Sequence, residues 1–126
     1  MKIKAFFIVA FTLSAGALAQ SPDPLKEPEC RNQQQCEAMW VEAGNTINMV
    51  TQMRTRFATD MRIETFGPTG YGSMGGVVTK TPVSPGVYRI SLRLECYRST
   101  NCDDVRRSGT NFFNLMVTGA GIRFEN

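Results

Sequence analysis

Residues 87–97 read VYRISLRLECY. Taken alternately, Tyr88, Ile90, Leu92, Leu94 and Cys96 fall on one side, while Arg89, Ser91, Arg93, Glu95 and Tyr97 fall on the other. A period of two sustained over this length marks a strand with one buried and one solvated face. Such a strand belongs to an antiparallel sheet that is covered on one side only. Upstream, residues 83–86 (VSPG) have turn chemistry. Residues 77–81 (VVTKT) read as a second strand, and Pro82, which has no N–H for a ladder, is expected to close it. Residues 61–66 (MRIETF) read as a first strand, and the intervening residues 67–76 (GPTGYGSMGG) are expected to form a mobile glycine-rich loop with Tyr71 exposed.

On both sides of these strands the period lengthens. Cys36, Met39, Trp40, Ala43, Ile47, Val50, Met53 and Phe57 recur at helical spacing. This predicts a helix over residues 33–57, with Gly44-Asn45 as its weak point. Downstream, Asn101 is the expected N-cap, with Asp103 and Asp104 in the first turn. Val105, Gly109, Phe112, Phe113 and Met116 form the expected buried stripe, and Gly119 and Gly121 are natural stops. Residues 122–126 are expected to add a short edge strand. The predicted fold is α+β in α-β-β-β-α order: a three-stranded antiparallel sheet with two helices packed on one face, stabilised by disulfides.

The N-terminus has the three parts of an export signal. Lys2 and Lys4 precede an apolar run, residues 5–13 (AFFIVAFTL), and Ala17-Leu18-Ala19 supplies a small-x-small cleavage site. A spanning helix needs about 20 apolar residues, roughly twice this run. The expected organisation is a cleaved signal peptide at residues 1–19, a flexible polar arm at residues 20–32 and one globular domain at residues 33–126. Cleavage after Ala19 leaves 107 of the 126 residues, exported to the periplasm or the extracellular space with no membrane anchor. Losing Lys2 and Lys4 leaves twelve basic residues against eleven acidic ones, so the balance falls from +3 to +1. Nucleic acid is therefore not an expected partner.

Cys30, Cys36, Cys96 and Cys102 all survive cleavage. An even count in an exported domain of this size points to two disulfides. The two C-x5-C spacings are not those of a zinc ribbon, and the chain has no histidine to complete a mixed site. Three pairings are open. Cys30–Cys36 with Cys96–Cys102 is preferred, and Cys36–Cys96, which would staple helix to sheet, is the rival.

The absence of histidine excludes Ser-His and Cys-His nucleophiles. Residues 70–75 spell a literal GxGxxG, but Val77-Val78 follows it instead of the helix that a dinucleotide site requires. No cofactor is expected. The candidate binding surface is the outward sheet face, with Arg62, Arg89, Arg93 and Glu95, Tyr97 at its end and Tyr71 on the nearby loop. Arginines two and four residues apart on a strand project in parallel and suit bidentate contact with anions. The expected function is that of a small exported, non-enzymatic binding or accessory protein of the cell envelope. Its acidic partner would be an envelope protein or an anionic polymer. The alternative is a small carboxylate-dependent hydrolase of wall or polysaccharide, using Glu64 and Glu95.

Overall fold

The computed structural model describes residues 26–70, 72–98 and 101–125. Its elements are β1 (Glu29–Cys30), α1 (Gln33–Thr51), β2 (Thr55–Ala58), β3 (Arg62–Thr65), β4 (Met74–Ser84), β5 (Val87–Cys96), α2 (Asp103–Gly121) and a 3-10 turn, Ile122–Phe124. All pairings are antiparallel, in the spatial order β1-β5-β4-β3-β2. The chain is thus an α+β protein with two helices, but its sheet has five strands where three were expected.

Both additional strands have a physical explanation. The apolar spacing through Met53 and Phe57 continues α1 on paper, yet the helix stops at Thr51. Gln52 takes a left-handed backbone (φ 61°), and its N–H closes on the Asn48 carbonyl at 3.0 Å. The chain then reverses into β2, where Phe57 stands opposite Glu64. Gly44-Asn45 leaves α1 unbroken. Residues 1–25, including the expected signal peptide, lie outside the described residues. The framework nonetheless begins before Gln33, because β1 pairs Glu29 with Arg89 and Cys30 with Tyr88.

Three further expectations are corrected. Residues 74–76 belong to β4 and not to a loop, because α1 crosses the sheet there. A Cβ on Gly76 would meet the side chains of Thr51 at 3.0 Å and Ile47 at 3.1 Å, so the strand must be bare at this point. Pro82 does not end β4. It pairs with Tyr88, and alternation turns its missing N–H toward the side where β3 has already ended. Residues 122–124 form a 3-10 turn instead of an edge strand.

Cross-strand partners share a face, so Leu92 with Val78 and Ile63, and Leu94 with Gly76, define the covered side. Both helices pack there: α1 on Ile63 and Gly76, α2 through Gly109 on Leu94 and Met74. The core holds Met39, Ala43 and Ile47 of α1, Phe113 and Val117 of α2, and Ile63, Val78 and Ile90 of the sheet. The helices run antiparallel, since Gly109 abuts Val50 and Gly121 abuts Met39. Val105, one turn before Gly109, therefore projects past the end of α1. It is exposed, as is Phe112, although both were expected to be buried.

The structure pairs Cys30 with Cys36 and Cys96 with Cys102. The first bond ties β1 to the opening turn of α1, and the second ties the end of β5 to the start of α2. Each closes a short loop, which in the chain-entropy picture contributes about 2 kcal/mol. Two disulfides suit an oxidising, exported compartment. Among the described residues, no helix is long and apolar enough to cross a membrane.

The helix contact yields a paired prediction. A Cβ on Gly121 would approach the buried Met39 sulfur at 2.5 Å, whereas one on Gly119 meets nothing within 4 Å. Gly121→Val should destabilise the protein by about 2 kcal/mol through overpacking. Gly119→Ala should stabilise it by about 0.5–1 kcal/mol. Urea unfolding of both variants checks the contrast.

Candidate functional site

The register brings four of the expected site residues onto one open sheet face. Arg89 stands opposite Thr81, Arg93 opposite Val77 and Glu95 opposite Gly75 on β4, while Arg62 of β3 stands opposite Thr79. Tyr97 lies past the end of β5, with the Arg98 guanidinium 5.2 Å from its ring centroid. Tyr71 lies outside the described residues.

The arginines on this face are mostly neutralised. Arg62 pairs with Glu64 at 3.2 Å, and Arg56 reaches the same carboxylate at 3.8 Å. Arg89 pairs with Glu29 at 3.3 Å and Glu27 at 3.9 Å. Glu27 also accepts a 2.7 Å hydrogen bond from the Ser91 hydroxyl. Glu27 and Glu29 were not among the expected site residues. Their spacing is strand-like, but two residues around a proline carry too little pattern to read, and their partners lie about 60 positions away.

Arg93 differs from its neighbours. It is exposed, and no carboxylate lies within ion-pair distance of it among the described residues. It also sits where β5 becomes the edge of the sheet. β1 covers Tyr88 and Arg89, and the Ile90 N–H donates to the Pro28 carbonyl at 2.8 Å. By the two-residue alternation of an antiparallel ladder, Leu92 and Leu94 turn their N–H and C=O groups the same way as Ile90. Beyond Ile90, no strand among the described residues lies on that side.

A trough follows this free edge between the sheet and α2. One stretch, about 710 Å³, is lined by Leu92, Arg93 and Leu94 of β5, Arg106, Arg107 and Asn111 of α2, and Lys26. It continues past Glu95 and Cys96 in a stretch of about 520 Å³. Arg106 is bonded to Asp103, and Arg107 lies 3.7 Å from Asp104. Both acids are in the first turn of α2, where the helix dipole already favours negative charge. Of the three arginines in the trough, Arg93 is therefore the one without an ion pair among the described residues, and it is set on the strand beside open backbone donors and acceptors.

The carboxylates of the hydrolase alternative are separated. Glu64 of β3 is engaged by Arg62 on its own strand and Arg56 on β2, and Glu95 lies on β5 with β4 between β3 and β5. Among the described residues there is no group of three or more His, Cys, Asp or Glu that could hold a metal ion. No family model matches the chain, and no curated protein or solved structure matches it either.

Exposed pairs of this kind contribute little to stability. Arg62→Ala and Arg89→Ala should each change the unfolding free energy by less than about 1 kcal/mol, measured by urea denaturation.

Proposed function

We propose that this chain is a small exported, non-enzymatic binding protein of the cell envelope, and that it takes an acidic, extended segment of a partner protein along β5. The observation that carries this reading is the edge from Leu92 to Cys96, which no strand among the described residues covers, beside an arginine with no carboxylate partner among them. A peptide added as a further strand would bond to the Leu92 and Leu94 backbone. Its side chains would alternate between the trough and the sheet face. An acidic residue opposite Arg93 would supply the missing charge, with Lys26, Arg106 and Arg107 adding longer-range attraction.

The two disulfides support an extracytoplasmic setting, in keeping with the export signal read at residues 1–19. The near-neutral sheet face argues for a local contact at Arg93 in preference to a broad electrostatic one. On this reading the partner binds at the edge of the sheet and not across its middle.

The test is calorimetric titration of the mature protein with an extended peptide of alternating glutamate and valine. Arg93→Glu should weaken binding at least about ten-fold, or 1.4 kcal/mol, while the melting temperature stays within a few degrees. Arg54→Glu, near the opposite edge of the sheet, should leave affinity within about two-fold. Equal losses in the two variants, or no peptide binding by the parent protein, would remove the β5 edge as the site.

A further inference from the structure

Alternation along β4 places Lys80 on the helix-covered side of the sheet. Its cross-strand partner Ile90 is fully buried, and so is Val78, two residues before it. A cation at an inward position breaks the pattern that the rest of the strand obeys, and such breaks concentrate at functional sites. Lys80 has not turned inward to meet an acid, since no carboxylate lies within ion-pair distance among the described residues. Its ammonium instead lies 5.0 Å from the centroid of the Trp40 ring and 5.6 Å from that of Tyr88.

Both rings are held in place. The Trp40 indole N–H donates to the Thr59 carbonyl at 3.0 Å, which fixes the ring plane. Tyr88 packs against the buried cluster that includes Cys30 and Cys36. Around them opens a cleft of about 830 Å³, with the carboxylates of Glu37 and Asp60 among its lining groups. That volume falls within the range of small-molecule sites, and the lining combines apolar rings with a few directed polar groups.

We propose that this cleft binds an acidic saccharide, a sugar ring carrying a carboxylate. The ammonium of Lys80 already occupies the place between the rings that a cationic ligand would take, so the ligand is not a cation. Lys80 carries three N–H donors and has no carboxylate within ion-pair distance among the described residues, which suits a ligand carboxylate. The exposed parts of Trp40 and Tyr88 offer apolar surface to the C–H face of a pyranose. The carboxylates of Glu37 and Asp60 accept hydrogen bonds and donate none, which suits the hydroxyl hydrogens of a sugar. This site is separate from the β5 edge, and neither reading depends on the other.

Trp40 is the single tryptophan of the chain, so its fluorescence reports on this cleft alone. The mature protein should be titrated with a short oligogalacturonate and, in parallel, with its fully methyl-esterified, uncharged form. A saturable change in emission with the acid is expected, with affinity at least about ten-fold weaker for the ester. Lys80→Met should lose affinity by a similar factor, and Lys80→Arg, which keeps the charge, should retain most of it. No saturable change, equal affinity for the ester, or unchanged affinity in Lys80→Met would overturn the proposal. If Lys80→Met fails to fold, the comparison of acid with ester on the parent protein decides.

Discussion

Helix α1 rests directly on the backbone of β4 at Gly76, and the rest of the molecule is arranged around that contact. With no side chain between them, Ile47 and Thr51 reach the strand itself. This seats Met39, Ala43 and Ile47 over Ile63, Val78 and Ile90 and makes one continuous apolar layer. The same seat presents Val50 and Met39 to Gly109 and Gly121, which lets α2 lie close and antiparallel. Close packing of this kind tolerates little extra volume. The ends are tied as well: Cys30–Cys36 fixes the entry to α1, and Cys96–Cys102 fixes the entry to α2.

The position of α2 has a consequence for the surface. Its first turns overhang the end of β5, so Arg106 and Arg107 face Arg93 across a trough instead of covering the strand edge. The two edges of the sheet are treated differently. β2 is four residues long, carries an irregularity between Thr55 and Phe57 and bears Arg56, all features that discourage strand addition. β5 runs on regularly from Ile90 to Cys96 in its pairing with β4, and β1 covers only its beginning. An edge left regular beside an arginine with no carboxylate partner among the described residues is the asymmetry on which the proposed binding role rests.

The legible parts of the fold were those in which pattern and packing agree locally. The alternation from Tyr88 to Cys96 identified β5 and its covered face, and the paired C-x5-C spacings pointed to local bridges. The parts that were not legible depend on distant partners. Nothing in Met53 or Phe57 shows that Gln52 turns left-handed, because glycine is the usual residue there and is absent. Gly75-Gly76 looks like a loop until α1 is known to lie on it. Val105 fits a buried stripe, and only the end of the helix overlap decides that it is exposed. The arginine face was read one charge at a time, and the contributions of Glu27 and Glu29 appear only when β1 is added beside β5. Lys80 carries a faint signal, a cation two residues from Val78 and from Pro82 on the same strand face, but Trp40 and Tyr88 give it meaning only in three dimensions.

The open edge of β5 can be measured without any ligand. In the free mature protein, amide hydrogen exchange should find the Ile90 N–H protected by its bond to the Pro28 carbonyl. The Leu92 and Leu94 amides should exchange much faster, by about a hundred-fold or more, because nothing among the described residues bonds them from that side. Leu92 and Leu94 amides exchanging as slowly as that of Ile90 would mean that the edge is already occupied, which would contradict the account.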